Sequence, residues 1–431
     1  MVLMMNAITR RNFLKLAGVA GVIGASRSLF PGWMPRLAFA SDHAPRDDRD
    51  ILINIFLRGG MDGLSAVVPY GEGRDYYDVR PTLAVPEPGG GPQSAIDLDG
   101  FFGLHPALAP LKPIYDEQDL AIVHASGLVH PTRSHFDAQH FIDFGIPGDK
   151  TVATGWIGRH LETASWQNQS PFRAVGMGDL LPDSLRGEVT PLALRSIAAF
   201  HLQGRSDELQ RMAATLSRLY GAASPQDPLR RQAELVFETV DIVQQLTASP
   251  YRPAHGAVYP QDDEGFGLAL KQIAQIIKAD IGLEVASLDL GGWDTHEAQG
   301  TLDGQLNGLL TVLAQGLHAF YTDLGDAMRR VIVVVMSEFG RTIDENGSQG
   351  TDHGHGNAMF VMGGGVKGGQ VFGPWPTLAL EARDDADDLA ITTDYRLVLA
   401  EMLQRRLGNS AISTIFPGLT PRPLDLFHAG S

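Results

Sequence analysis

Acidic and histidine side chains in this sequence are concentrated in a few short segments next to runs of apolar residues. The densest is Asp352-His353-Gly354-His355, which places two imidazoles and a carboxylate within four residues on a loop loosened by glycine. Asp, Glu and His are the ligand types of zinc and manganese hydrolases, and a metal held by them can orient an oxyanion and lower the pKa of a hydroxyl or water. His353 and His355 are therefore predicted metal ligands.

Three further polar segments each follow an apolar run. The run at 51–57 is followed by Asp62, which either projects into a cleft or simply forms a turn with the next glycine. The run at 283–290 is followed by Asp294 and His296, and Asp294 has a helix cap as its alternative role. The run at 331–336 is followed by Glu338 and then Arg341, with a purely structural ion pair as the alternative for those two side chains.

A fifth segment offers a nucleophile. Ser134 is flanked by Arg133, His135 and Asp137, so that a hydroxyl lies beside a base, a cation and an acid. This composition predicts that Ser134 attacks an electrophile with His135 as an adjacent catalytic group. The guanidinium groups of Arg58, Arg133 or Arg341 are predicted to clamp the oxygens of an anionic substrate.

The elements that would position these segments alternate along the chain. Most of the apolar runs are continuous, which is typical of strands buried on both faces of a parallel sheet. Such runs alternate with segments of helical periodicity, and this order predicts an α/β, doubly wound, mostly parallel sheet. Predicted strands cover 51–57, 120–125, 172–176, 283–290, 331–336 and 358–362, and predicted helices cover 206–219, 227–246, 265–278, 302–328 and 394–407.

The polar segments lie where such a sheet binds ligands, beyond the carboxyl ends of its strands. Five of them, spread over nearly 300 residues, predict one site assembled from several loops. Residues 41–431 are predicted to form a single domain, with a helical insertion at about 179–262. The acidic run at 384–388 indicates a solvated loop, with a calcium site as the alternative reading.

The first forty residues have the layout of a secretory leader. Arg10 and Arg11 precede an apolar stretch too short to span a membrane, and a small-x-small pattern ends at Ala40. We therefore predict a twin-arginine signal peptide at residues 1–40, the twin-arginine translocase as an export partner, cleavage after Ala40, and a periplasmic or secreted protein. The alternative is an ordinary N-terminal helix or a retained anchor. No transmembrane segment is predicted after residue 40.

Composition excludes several classes of function. Five of the 34 basic residues and none of the 50 acidic residues lie in the leader, so the remaining chain carries 29 bases against 50 acids, a net charge of −21. A nucleic-acid-binding surface is unexpected at that charge. Cysteine is absent, which excludes disulfides, thiolate metal sites and a cysteine nucleophile. A metal must be held by His, Asp, Glu or other oxygen ligands.

The chain resembles the DUF1501 family of exported proteins across nearly all of residues 50–425. The segments that carry the resemblance are FLRGGMDGLSAVVPY, TRSHFDAQ, TGWIGR, GGWDTH, MSEFGRT and DHGHGNAMFVMGGGVKGG. That family is distantly similar to the alkaline phosphatase superfamily, which includes sulfatases and cofactor-independent phosphoglycerate mutases. The kinship implies a phosphate or sulfate site with two metal ions on a doubly wound sheet.

The resemblance also implies roles for single residues. Asp62 would match the superfamily's first-strand metal ligand, and Ser134 would match its nucleophile. Its other ligands would correspond to Asp294, His296, Glu338, and His353 or His355. Two departures put one of the two metal sites in doubt: the first pair is spaced Asp-x-His instead of Asp-x-x-x-His, and Phe339 stands where a second ligand is expected.

Together these features predict an exported hydrolase of small anionic esters that uses one or two divalent metal ions, zinc or manganese before calcium. Phosphate is favoured over sulfate, because the residues after Ser134 lack the pattern from which sulfatases make formylglycine. The alternative is a non-catalytic binding or assembly protein of the cell envelope on a degenerate phosphatase-like fold.

Overall fold

The computed structural model describes residues 49–164, 168, 170–178, 180–197, 215, 228–263, 265–385 and 387–428. The predicted leader and most of the predicted helix at 206–219 lie outside these residues. Among the described helices, none combines the length and the apolar character that crossing a membrane would need.

The strands of the described chain form one large sheet and one small sheet. The large sheet has the order β11-β5-β10-β9-β1-β8-β6-β7, with β12 also pairing with β5, and the small sheet has the order β2-β4-β3. In chain order the strands are β1 Ile51–Leu57, β2 Val67–Val68, β3 Ile96–Asp97, β4 Gly103–Leu104, β5 Leu120–Gly127, β6 Ala174–Met177, β7 Leu192–Leu194, β8 Val285–Leu290, β9 Val331–Ser337, β10 Asn357–Gly363, β11 Val371–Phe372 and β12 Thr393–Asp394.

Helices cover both faces of the large sheet. The α-helices are Gly63–Ala66, Arg74–Tyr77, Lys112–Asp116, His135–Phe144, Trp156–Thr163, Pro228–Thr247, Phe266–Ala279, Gln305–Leu324, Tyr395–Arg405 and Ile412–Ile415. The 3₁₀ helices are Tyr70–Glu72, Pro106–Leu111, Asp183–Leu185, Gly325–Arg330 and Leu380–Ala382.

The central strand β1 shows why both faces are covered. All seven of its residues are buried, as the continuous apolar pattern predicts. Ile53 and Ile55 pack into a core with helices Phe266–Ala279 and Gln305–Leu324. Leu52 and Phe56 point to the other face and pack with helices Trp156–Thr163 and Tyr395–Arg405. Successive side chains of a strand point to opposite faces, so one strand serves two cores. The predicted doubly wound α/β class is confirmed.

The direction of β10 decides where the densest polar segment lies. Strands β9, β1, β8, β6 and β7 pair in parallel, whereas β10 is antiparallel to both of its neighbours, β9 and β5. The start of β10 therefore lies at the edge of the sheet where the parallel strands end. Residues that precede β10, including His353, consequently meet residues that follow β1, β5, β8 and β9.

The predicted helical insertion at 179–262 overlaps three described elements, of which the first is the 3₁₀ helix Asp183–Leu185. Strand β7 extends the large sheet beyond β6, and helix Pro228–Thr247 packs against helix Phe266–Ala279. Residues 198–214 and 216–227 lie outside the described chain, so the insertion as a whole stays a prediction.

Candidate metal centre

Loops at the carboxyl edge of the sheet bring Asp294 together with four other predicted side chains. His135 is the first residue of helix His135–Phe144, which follows β5. Asp294 and His296 follow β8, Glu338 follows β9, and His353 precedes β10. The structure thus brings these side chains together from several loops.

One oxygen of Asp294 is the meeting point of three imidazoles. Its Oδ1 atom lies 3.3 Å from His135 Nε2, 3.0 Å from His296 Nε2 and 3.2 Å from His353 Nε2. The Nε2 atoms of His296 and His353 are only 2.9 Å apart. Two unprotonated nitrogens at that distance repel each other, so a shared proton or a cation is needed to stabilise them.

The opposite ring nitrogens determine the tautomers of these imidazoles. Nδ1 of His135 lies 2.8 Å from Glu338 Oε1, Nδ1 of His296 lies 2.8 Å from Asp352 Oδ1, and Nδ1 of His353 lies 2.7 Å from the carbonyl oxygen of Arg133. Carboxylate and carbonyl oxygens only accept hydrogen bonds, so each Nδ1 donates its proton. In the neutral imidazoles, all three Nε2 lone pairs therefore face the Asp294 carboxylate.

This donor set fits a divalent metal ion. Ligand atoms of His135, Asp294 and His353 all lie within 4.8 Å of one another. Within the described chain His135 Nε2 is shielded from solvent and has no hydrogen-bond partner. Imidazole nitrogen and carboxylate oxygen are ligands of zinc and manganese, and histidine ligands usually donate their other N–H to an oxygen, as these do.

The Asp294 carboxylate is held by Arg341. The guanidinium group donates to Asp294 Oδ1 at 2.7 Å, to the Gly60 carbonyl at 2.7 Å, and to the carbonyls of Trp293 and Thr351 at 2.9 Å each. Burial alone would raise the pKa of Asp294, but the hydrogen bond and charge of Arg341 lower it to about 2. Arg341, predicted as a catalytic residue, is fully buried and positions the ligand loop instead of facing a substrate.

Glu338 orients His135 and the first loop of the site. Its buried carboxylate accepts from His135 Nδ1, from Gln139 Nε2 at 2.8 Å and from the Gly59 backbone N–H at 2.8 Å. Although burial opposes ionisation, these hydrogen bonds lower the pKa of Glu338, and the bond to Glu338 raises the pKa of His135. Gly59 has φ +124°, and a Cβ there would lie 2.6 Å from the backbone nitrogen of Asp294. Only glycine allows this close approach.

Asp62, predicted as a metal ligand, lies elsewhere. It caps helix Gly63–Ala66, and its Oδ2 atom accepts from Arg80 at 2.7 Å, Ser65 Oγ at 2.7 Å and Gln299 Nε2 at 2.8 Å. Burial alone would raise the pKa of Asp62, but Arg80 lowers it. The structure therefore gives Asp62 a buried ion pair and no contact with the three imidazoles, and it leaves Asp62 out of this centre.

His355 and Arg133 belong to a neighbouring cluster with the acidic loop. His355 Nδ1 lies 2.9 Å from Asp384 Oδ2, and Arg133 Nη2 lies 2.5 Å from Asp388 Oδ2. Asp384, Asp385 and Asp387 are exposed, as a solvated loop predicts, but Asp388 is fully buried, and burial raises its pKa. His355 thus does not join His353 at the centre, and the Arg133 guanidinium is engaged by carboxylates.

Two other predicted residues border the centre. Ser134 is exposed and caps helix His135–Phe144, with its Oγ accepting from the Asp137 N–H at 3.5 Å. Arg58, predicted to bind substrate, is paired with Asp143 at 2.9 Å and Asp289 at 3.1 Å. Its charge is therefore neutralised inside the protein.

Sequence reasoning assigned His135 a catalytic role, included Asp352 in the densest polar segment without giving it a role, and overlooked Gln139. Asp352 accepts from His296, and Gln139 donates to Glu338. A signal for Gln139 was present, because it lies one helical turn after His135 on the same helix face. No local signal pairs Asp352 with His296, which lies 56 residues away.

Glu338→Gln tests the orienting role of Glu338. We expect the variant to bind zinc about 10- to 100-fold more weakly, because the imidazole of His135 loses its ionic acceptor. Competition against a chromophoric chelator measures the affinity. The exposed Glu297→Gln variant, in the loop that carries His296, is the matched control. Equal zinc affinity in both variants would show that Glu338 does not orient a ligand.

A family model described as "Protein of unknown function (DUF1501)" matches residues 134–402. The chain belongs to the DUF1501 family. The match includes His135, Asp294 and His353, whereas Asp62 and Arg80 precede it. A comparison of this DUF1501 protein with curated proteins found no match.

Solved structures to which the protein is similar include the lipoteichoic acid synthase LtaP from Listeria monocytogenes, at 8% identity over 88% of this chain and 80% of that one, with a TM-score of 0.32. A protein in the alkaline phosphatase superfamily from Vibrio parahaemolyticus is 11% identical over 85% of this chain and 71% of that one, with a TM-score of 0.29. Thermus thermophilus alkaline phosphatase is 12% identical over 74% of this chain and 64% of that one, with a TM-score of 0.28. The fold class itself is assigned from the strand order and pairing.

Proposed function

We propose that this DUF1501 protein is a metal-dependent hydrolase of small anionic esters, with phosphate favoured over sulfate. The observation that supports the proposal is the convergence of three imidazole Nε2 atoms on Asp294 Oδ1. His135, Asp294 and His353 would hold the ion, with His296 beside them. Zinc or manganese suits this donor set, and calcium suits it less because calcium prefers oxygen ligands.

The centre is open on one side, as a catalytic metal site must be. Asp294 has 48% of its side chain exposed, and His296 has 39%. Structural zinc sites are closed by four protein ligands, whereas catalytic ones leave a position for water or substrate. Bound there, a divalent ion would act as a Lewis acid and offset the charge of an anionic ester.

The amino end of helix His135–Phe144 favours the binding of an anionic substrate. Backbone N–H groups and the helix dipole at such an end favour negative charge, and this end lies at the centre because His135 is the first helical residue. The exposed hydroxyl of Ser134 stands at the same end. We propose that Ser134 is the nucleophile and that the helix end binds an oxygen of the ester.

Metal content and ester hydrolysis measured on the same preparation test this function. We expect about one zinc or manganese ion per chain, because the donor atoms make one site, and hydrolysis of an aryl phosphate that disappears on chelation and returns on reloading. A protein that stays metal-free after incubation with both ions would refute the proposal.

Ser134→Ala and Ser134→Asn together test the nucleophile. Both variants lack the hydroxyl, but asparagine keeps the helix cap, whose loss to alanine costs about 1 kcal/mol. We expect both to retain the metal and to hydrolyse the aryl phosphate no faster than the chelated wild-type protein. The exposed Ser348→Ala variant is the control. Wild-type rates in Ser134→Asn would assign the attack to another group.

A non-catalytic envelope protein is the second candidate. It is favoured by the engagement of Arg58, Arg133 and Arg341, the three predicted anion clamps, with carboxylates of the protein itself. Stable metal binding without hydrolysis of phosphate or sulfate esters would support this candidate. In either case we propose export through the twin-arginine translocase with cleavage after Ala40, which the leader of the sequence supports and which sequencing the N-terminus of the exported protein would test.

A further inference from the structure

A cavity of about 470 Å³ opens beside the metal centre. Its lining includes Arg58, Asp143, Asp183 and Asp289, together with the apolar side chains of Phe136 and Leu180. These charged groups make none of the contacts described for the metal centre, so the cavity is considered as a separate binding site.

Helix His135–Phe144 connects the cavity to the centre. Phe136, Gln139, His140 and Asp143 follow the i, i+3, i+4, i+7 spacing of one helix face, and all four line the cavity. Gln139 also donates to Glu338, the acceptor of His135. A molecule in the cavity would therefore lie within one helical turn of the residues that orient the metal ligands.

The charge of the cavity wall is negative. Arg58 is shared by Asp143 and Asp289, at 2.9 and 3.1 Å, and Asp183 pairs with Arg186 at 2.8 Å. The two guanidinium groups thus face three carboxylates, which leaves an excess of one negative charge. A negatively charged ligand is not expected to bind to such a wall.

Asp143 provides a buried acceptor without a partner. The residue is 4% exposed, and while its Oδ2 atom accepts from Arg58, its Oδ1 atom has no hydrogen-bond partner in the described chain. A buried carboxylate oxygen normally accepts a hydrogen bond, and leaving it without one carries a desolvation cost. Asp143 lines the cavity, so a cation bound there would lie against this carboxylate.

The rim of the cavity is apolar and exposed. Phe136 is 89% exposed and Leu180 is 84% exposed, the two highest values among the large apolar side chains of the described residues. Exposed apolar groups around a polar pocket are typical of binding sites, and the face of an aromatic ring also attracts cations. The cavity thus combines an anionic floor with an apolar mouth.

We propose that this cavity binds a primary ammonium group attached to a short alkyl chain, and that the substrates of the metal centre are anionic esters of amino alcohols. The ammonium group would pair with the Asp143 carboxylate, and its alkyl chain would lie against Phe136 and Leu180. The second part of this proposal depends on the hydrolase function, whereas the binding of the ammonium group does not.

Titration calorimetry with n-butylammonium and its neutral counterpart n-butanol tests the binding. We expect n-butylammonium to bind the metal-free wild-type protein and n-butanol to bind at least about tenfold more weakly, because the hydroxyl of n-butanol can donate to the Asp143 carboxylate but carries no positive charge to pair with it. Asp143→Asn should weaken n-butylammonium binding about 10- to 100-fold, since the same charge pair is lost. Equal binding of the two probes, or no binding of n-butylammonium, would overturn the proposal.

Phe136→Ala provides a second variant that does not depend on the buried ion pair of Asp143. Because Phe136 is almost fully exposed, its removal should leave the thermal unfolding midpoint unchanged and weaken n-butylammonium binding several-fold. His353→Ala should leave n-butylammonium binding intact. Unchanged n-butylammonium binding in Phe136→Ala would show that the alkyl chain does not lie against Phe136.

The dependence of binding on pH gives an independent readout. Burial raises the pKa of Asp143 to about 6, with Arg58 lowering it and Asp289 and Asp183 raising it. We expect n-butylammonium binding to strengthen as the pH rises from 5 to 7, because the ionised carboxylate is the better acceptor. His140 also lines the cavity, and burial lowers its pKa, so the same titration of Asp143→Asn measures the part of the change that His140 contributes. Binding that is flat over this interval would exclude Asp143 as the acceptor.

Hydrolysis assays separate failure of this inference from failure of the proposed function. An enzyme that hydrolyses aminoethyl phosphate with a higher kcat/KM than ethyl phosphate supports both. Equal kcat/KM values with the metal bound would overturn the substrate class and leave the hydrolase intact. Binding of n-butylammonium without hydrolysis of any ester would refute the hydrolase and leave the cavity assignment intact.

Discussion

Replacing Asp294 by Asn is expected to remove the metal ion and the hydrolysis of anionic esters together. Asp294 Oδ1 is the atom on which the Nε2 atoms of His135, His296 and His353 converge. Asparagine keeps the size of the side chain and an oxygen that can accept from Arg341, but it loses the negative charge that offsets a divalent cation. Metal affinity should fall by more than the ~100-fold seen when only an outer partner of a ligand is changed.

Activity should be lost because the bound metal ion would offset the negative charge of the ester in the transition state. A divalent ion contributes several kcal/mol of transition-state stabilisation, so its loss should lower kcat/KM about 10³-fold or more. Elemental analysis and steady-state assays on the purified variant measure the two effects. Asp303→Asn, an exposed substitution shortly after the same loop, is the control. An Asp294→Asn protein with wild-type metal content would place the ion elsewhere.

Asp62→Asn is expected to destabilise the protein without emptying the metal centre. Asp62 and Arg80 form an ion pair whose side chains are 1% and 0% exposed. Removing one partner of a buried pair leaves the other charge uncompensated and costs about 3–5 kcal/mol. Arg80 would keep its bonds to the carbonyl oxygens of Ile343 and Thr342, which hold the segment after β9.

Denaturant unfolding followed by tryptophan fluorescence measures this cost, and Asp75→Asn at an exposed position is the matched control. Because Arg80 lowers the pKa of Asp62 against the opposing effect of burial, the stabilisation is fully present above the ordinary aspartate pKa. It is lost as the pH falls through the lowered value. Loss of the metal from a folded Asp62→Asn protein would instead restore Asp62 as a ligand, as the sequence suggested.

Several elements of the fold were predictable from local pattern. Strands β1 and β9 are continuous apolar runs, and their observed bounds differ from the predicted ones by at most one residue. Helix Gln305–Leu324 lies within the predicted helix at 302–328, whose last residues form the 3₁₀ helix Gly325–Arg330. These features follow from hydrophobic periodicity, which is a property of neighbouring residues.

The site was predictable as a set of loops but not as a set of ligands. Asp294, His296 and His353 were identified because they follow or precede apolar runs, and they do meet. Asp62 occupies an equivalent place in the chain and yet binds Arg80, because the short helix Gly63–Ala66 turns its carboxylate away into a buried pair. Likewise His353 and His355 are two residues apart, but they bond to different partners.

What the amino-acid sequence determined by itself was therefore the alternation of strands and helices, the placement of polar segments at strand ends, and the ligand chemistry open to a chain without cysteine. The tertiary structure alone decided the antiparallel direction of β10 and which of the predicted side chains meet at Asp294. Those choices depend on hydrogen bonds between distant residues, such as His135 to Glu338 across 203 positions. Strand pairing and side-chain partners over such separations are set by packing of the whole sheet, which local periodicity does not encode.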